Sequence, residues 1–162
     1  AGFAWFMAYA NIPMSAFTRG LLVQTALAVA GQHGEANVGY EDVGGEGIIR
    51  TLPQAGILAN LSNTAWFGRS LAQPQHLQIS QMRAAETGRP MLRATNTGMT
   101  AIINADGKVQ AALEPFTTGV LKGEARAHEG MTPFARLGNG LTLGLMACLG
   151  LLGLAGKRRR AD

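Results

Sequence analysis

From Leu137 to Gly156 the chain runs twenty residues without a charge, eight of them leucine. A helix rising about 1.5 Å per residue makes that run about 30 Å long, the thickness of a bilayer core. The pattern predicts a membrane span over 137–156, with a buried core helix and a solvated basic tail as the alternative. Six glycines in the run would weaken a helix in water by roughly 1 kcal/mol each relative to alanine, whereas in lipid small residues let helices approach closely. Gly140 and Gly144 form a G-x-x-x-G pair. Upstream, shorter apolar runs alternate with polar turns. Ala36 to Tyr40 reads as a strand, Glu46 to Leu52 as a short helix stopped by Pro53, and Gly56 to Leu61 as a buried strand followed by a loop, Ser62 to Gly68. A helix is predicted from Pro74 to Thr87, closed by Gly88 and Pro90, packing through Leu77, Ile79 and Met82. On it His76, Ile79, Arg83 and Glu86 share one face. Met91 to Thr95, Met99 to Ile103 and Val109 to Leu113 read as strands, the last two joined through Asp106-Gly107. The alternation predicts an α/β body with a sheet of at least four strands within 36–125.

Composition narrows this picture. The chain has 162 residues, room for one ordinary domain; charged residues are 15% and hydrophobic residues 47%, which excludes general disorder. The net charge of +4 is uneven. Residues 1–136 carry ten Lys/Arg against nine Asp/Glu, while Lys157 to Asp162 carry four against one. No basic stripe crosses the body, so nucleic acid is not an expected partner. The cluster after the apolar run instead places that end in the cytoplasm by the positive-inside rule, with the body on the other side of the membrane. One cysteine, Cys148, excludes an internal disulfide framework and a Cys-rich zinc site. His76 has no second histidine at ligand spacing, so no metal or other cofactor is expected. The opening Ala1 to Met7 lacks a basic start and does not read as a secretory signal; it reads as a chain whose upstream part lies elsewhere.

The carboxyl end of a strand in an α/β fold is where reactive groups are usually exposed, which directs attention to Val38 onward. Val38-Gly39-Tyr40-Glu41-Asp42-Val43-Gly44-Gly45-Glu46, Leu61 to Gly68, Gln75 to Gln78 with Arg83 to Pro90, and Met131 to Arg136 resemble, block by block, the bacterial apolipoprotein N-acyltransferases. The resemblance runs from about Asn11 to Arg160. It implies part of a nitrilase-like αββα sandwich followed by one carboxy-terminal transmembrane helix. The divisions are residues 1–136 as a partial carbon–nitrogen hydrolase-like periplasmic domain, 137–156 as the span, and 157–162 as a basic cytoplasmic tail. The implied location is the bacterial inner membrane. The implied partners are a phospholipid acyl donor and the amino terminus of a lipoprotein. The implied activity moves an acyl chain onto a cysteine and then onto the α-amine of a lipid-modified cysteine, splitting one difficult transfer into two steps.

The same resemblance assigns roles residue by residue. The family's Glu–Lys–Cys triad places its cysteine where this chain has Gly39, and its Glu and Lys upstream of the block resembled by Asn11 to Ser15. A glycine supplies no thiolate, and Cys148 falls in the expected span, so the chain as written is expected to be inactive alone. Gly44 and Gly47 replace positions that usually carry larger side chains. Tyr40 and Glu41 match residues beside the nucleophile; Tyr40 would offer its backbone N–H to an oxyanion, while Glu41 is otherwise a solvated turn carboxylate. Trp66 and Phe67 would contact acyl chains, with core packing as the alternative. His76, Arg83 and Glu86 are expected to form a hydrogen-bonded structural cluster near the site. Two rival functions remain: a membrane-tethered amidase or nitrilase, and a non-catalytic membrane-anchored module that binds lipid or a partner.

Overall fold

The computed structural model describes residues 25–158, with side chains described to Leu152. Its elements are β1 (Leu27–Val29), β2 (Gln32–Val38), α1 (Gly45–Ile48), β3 (Ile57–Ser62), α2 (Ala72–Thr87), β4 (Met91–Thr95), β5 (Ala101–Ile103), β6 (Val109–Ala112), α3 (Pro133–Leu137) and α4 (Gly140–Arg158). The six strands form one sheet in chain order. β2, β3 and β4 run parallel, and β1, β5 and β6 add to them antiparallel. Parallel neighbours need a crossover, which α1 supplies between β2 and β3 and α2 between β3 and β4. The carboxyl ends of the three parallel strands therefore lie side by side, with Val38, Leu61 and Ala94 in register.

β4 has the bounds expected from the sequence, and the expected sheet of at least four strands is present. β2 begins at Gln32, four residues before the apolar pattern does, because its polar first half is held by ladders to β1 and β3 rather than by burial. α2 starts at Ala72 and ends on Gly88, whose φ of +65° closes the helix. Its packing corrects the expectation. Leu77 is buried, but Met82 is 54% exposed, and the buried positions are Gln73, His76, Leu77, Ser80, Ala84 and Thr87. The helix turns a half-polar face inward because the strands beneath it present polar side chains at their carboxyl ends.

Farther from those ends the packing is apolar: Ile48, Leu58, Leu77, Ala84, Met91 and Ile103 form one cluster. Leu52, Ala55 and Ala135 form a second beneath α3. The opposite face of the sheet has Val38 at 64%, Leu61 at 51% and Leu92 at 39% exposure. Among the described residues its β5 side is covered, where Gly123 lies against Ile102 so closely that a Cβ would stand 2.7 Å from it. The described residues thus build one α/β layer of the expected sandwich and leave the facing sheet's position open.

At the carboxyl end, Thr132 caps α3 by accepting the Ala135 N–H at 3.0 Å, with Pro133 in the first turn. The apolar run expected as one helix from Leu137 is broken: Leu137 ends α3, Gly138 has φ +54°, and the long helix begins at Gly140. Every described side chain of α4, through Leu152, is exposed. Among the described residues no helix is long and apolar enough to cross a membrane. The expectations for Asn11 to Ser15 and for Arg159 to Asp162 fall outside the described residues.

Candidate active site

β2 ends where a short 3-10 turn, Gly39–Val43, begins. Gly39 has φ +63°, a left-handed conformation that glycine adopts without strain, and a Cβ built there meets nothing within 4 Å. The turn therefore has space for a side chain at this position, at the cost of backbone strain. Gly47 is equally open, and at Gly44 the nearest atom would be at an ordinary 3.7 Å. The three glycines at which the resemblance expects side chains all have room for them.

The carbonyl of Gly39 is held from behind. Asn60 Nδ2 donates to it at 3.0 Å and to Asn37 Oδ1 at 2.6 Å, and Ser62 Oγ lies 3.1 Å from the same carbonyl. Asn60 Oδ1 in turn accepts from Arg93 Nη1 at 2.9 Å, and that nitrogen also donates to Ser80 Oγ at 2.9 Å. Ser80 donates to Asp42 Oδ2 at 2.7 Å, and His76 Nε2 lies 2.8 Å from Asp42 Oδ1. Asp42, His76, Ser80 and Arg93 are all at most 2% exposed. Charges this deep persist only when paired, and Asp42 faces Arg93 Nη1 at 3.6 Å. Burial pulls the Arg93 guanidinium below the usual arginine range, while Asp42 and Tyr40 oppose that shift. His76 Nδ1 has no hydrogen-bond partner among the described residues, which favours the tautomer that carries its proton on Nε2 and donates it to Asp42.

Tyr40 lies across this cluster, its ring centroid 4.6 Å from that of His76 and 5.8 Å from that of Phe67. Glu41 folds back so that its carboxylate accepts the Val38 N–H at 2.7 Å, tying the turn to the strand end. Trp66 is 76% exposed, so core packing is excluded for it; Phe67 is half-buried against Tyr40. The loop carrying both aromatics is pinned by Asn96, whose Oδ1 accepts the Thr64 N–H at 2.9 Å, and by Gln73, whose amide donates to Thr64 and Gly68 carbonyls.

The expected single cluster of His76, Arg83 and Glu86 divides in two. His76 belongs to Asp42, about two helical turns away from the pair formed by Arg83 Nη2 and Glu86 Oε2 at 2.9 Å. Arg83 also donates to the Val43 carbonyl at 3.4 Å, at the end of the turn. Cys148 lies exposed on α4.

Sequence reasoning passed over Asp42, Asn60, Arg93 and Glu35. Arg93 carried a signal, since a charge sits alone between Met91 and Thr95 on a strand whose other inward positions are apolar or neutral. Glu35 carried none. Burial is the chief cause that raises its carboxyl to about 7; a hydrogen bond from Thr51 opposes this and the charge of Glu41 adds to it.

A glycine turn at the carboxyl edge of parallel strands, backed by a buried polar cluster on the crossover helix, defines an α/β enzyme scaffold with an exposed strand-end site. The chain belongs to the carbon–nitrogen hydrolase family, whose profile matches residues 23–129. Curated relatives carry the name apolipoprotein N-acyltransferase. That of Nitrosomonas europaea is 55% identical over 154 residues, covering 95% of this chain and 30% of the relative. That of Ralstonia nicotianae is 51% identical over 164 residues, covering 99% of this chain and 31% of the relative. The chain thus spans under a third of the length of these relatives. A crystal structure of a carbon–nitrogen hydrolase from Helicobacter pylori G27 superposes with a TM-score of 0.55 at 17% identity, covering 62% of this chain and 43% of that one. A mutant of the Nesterenkonia AN1 amidase from the nitrilase superfamily does so at 0.52 and 18%, covering 62% and 41%. These two likenesses bear on the fold alone.

Proposed function

We propose that this chain forms the nucleophile-turn region of an apolipoprotein N-acyltransferase, which moves an acyl chain from a phospholipid through a cysteine thioester to the amino-terminal diacylglyceryl-cysteine of a lipoprotein. The observation that carries this reading is the turn at Gly39: it lies at the strand end, has room for a side chain, and sits in a segment more than half identical to two enzymes of that name. Tyr40 supplies its backbone N–H toward the developing oxyanion, Glu41 holds the turn to Val38, and Trp66 and Phe67 meet the acyl chains. His76, Arg83 and Glu86 support the turn from α2. The body, residues 1–136, faces the periplasm, the run 137–156 crosses the inner membrane through α4, and the basic residues 157–162 lie in the cytoplasm. The bare leucines of α4 support that placement. No metal is required.

With glycine at position 39 the turn has no nucleophile. That absence favours a second reading, a membrane-anchored module that binds lipid without acylating itself. A chimera separates them: this chain replaces the matching third of the Ralstonia nicotianae enzyme, with Gly39 kept or changed to cysteine, and is mixed with phospholipid. Intact-mass measurement should show no acyl adduct for Gly39 and a hydroxylamine-labile adduct for Gly39→Cys. An adduct on the glycine form, or none on a folded cysteine form, refutes the assignment of the turn.

A further inference from the structure

Every described side chain of α4 is exposed, so no packed face fixes the direction in which this helix leaves the body. Its direction is set at its root. There, Glu46 Oε1 accepts the N–H of Asn139 at 2.6 Å, a contact between residues 93 apart in the chain. Asn139 caps α4, its carbonyl accepting the first helical N–H, that of Leu143, at 3.0 Å. The carboxylate thus lies at the positive end of the helix dipole. Gly138 makes the approach possible: a Cβ there would stand 2.4 Å from Glu46 Oε1, in a backbone conformation of φ +54°.

Glu46 is also three residues from the end of the turn that begins at Gly39. The segment between them is clamped on both sides. Arg83 donates to the Val43 carbonyl, and Phe134 of α3 packs against Gly45, where a Cβ would stand 3.1 Å from its ring. Thr132, the cap of α3, donates to the Glu86 carbonyl. The stretch from Val43 to Glu46 is therefore in contact with the candidate site at one end and with the α3–α4 junction at the other.

We propose that Glu46 is a positioning residue that couples the turn bearing Gly39 to the root of α4, and so sets how the acyl site faces the membrane. The proposal rests on the reading of α4 as a membrane span. A charge-assisted hydrogen bond is the strong member of its class, and its acceptor here belongs to the same short helix that follows the turn. Reorienting α4 without disturbing the turn requires this bond to break.

The test places nitroxide labels at the native Cys148 and at Gln78→Cys, an exposed position on α2, in the whole chain reconstituted into phosphatidylethanolamine–phosphatidylglycerol nanodiscs. Pulsed dipolar spectroscopy should give one narrow distance. Glu46→Ala should spread it into a broad distribution and speed amide exchange at Asn139 about tenfold, while exchange at Leu58 in the core stays unchanged. Glu46→Gln, whose amide oxygen still accepts, should keep the distance narrow. Gly138→Ala, which pushes the carboxylate aside without removing it, should broaden it. A distance that stays narrow in Glu46→Ala overturns the proposal, as does equal broadening in Glu46→Gln or equal acceleration at Leu58, which would make Glu46 a general stabiliser. Relaxation of the Cys148 label by lipid-soluble oxygen rather than by a water-soluble nickel complex reads the membrane placement separately. A water-exposed label with a narrow, Glu46-dependent distance would refute the span and leave the coupling intact.

Discussion

The two faces of the sheet invert the usual arrangement. Beneath α2, at the site end, the covered face holds Asn37, Asn60, Arg93 and their partners Asp42, His76 and Ser80, all buried. The uncovered face presents Val38, Leu61 and Leu92 to solvent. A covered polar face and a bare apolar one cannot both be explained by water avoidance within this layer. The polar cluster is tolerated because each charge has a partner, and it fixes the Gly39 carbonyl through directional bonds that apolar packing would not supply. The apolar face is the kind of surface that marks an interface, and it lies where the sandwich resemblance expects a second sheet.

The largest effect should come from breaking the cluster. Asp42→Ala leaves Arg93 buried without its counter-charge and should cost about 3–5 kcal/mol, read as a lowered midpoint or loss of cooperative unfolding in urea. Next, truncation on the two faces should differ sharply. Leu58→Ala, fully buried, should cost about 2–5 kcal/mol, whereas Leu61→Ala, on the bare face three residues later, should stay within about 0.5 kcal/mol. Equal losses would show that the bare face is covered in solution. A third test concerns the covered face near β2. Glu35 has its carboxyl raised from 4.5 to about 7, so the native state holds the proton more tightly than the unfolded chain does. Its contribution is complete below about 4.5 and is lost as pH rises through 7, so stability should fall across that window. Unfolding at a series of pH values should show the decline, and Glu35→Gln should flatten it. The smallest effect belongs to Trp66→Ala, which should leave the urea midpoint within about 0.5 kcal/mol because the ring is 76% exposed.

The legible parts of this fold were those that announce themselves locally. β4 lies between Pro90 and a polar turn, and the Asp106-Gly107 turn between β5 and β6 has its glycine at φ +82°. The packing of α2 was not legible, because apolar periodicity counts only apolar side chains. Here His76 and Ser80 are inward because Asp42, 34 and 38 residues away, and Arg93 meet them there. The same distance in sequence hid the site's support. Gly39, Tyr40 and Glu41 stand in a contiguous block and could be placed by resemblance, whereas Asn60 reaches the Gly39 carbonyl from β3 and Arg93 holds Asn60 from β4. Glu35 reads as an ordinary polar position until Thr51 closes over it.

The strand order of the sheet repeats the order of the chain. Among the described strands each therefore pairs with its neighbour in sequence, and during synthesis at about 5–20 residues per second none of them has to wait for a distant partner to leave the ribosome. β2, α1 and β3 could settle before α2 emerges, with the Gly39 carbonyl already bonded to Asn60. Asp42 would then stand in place to receive His76 and Ser80 as that helix forms, and α4, the last of the described elements, would meet a finished root.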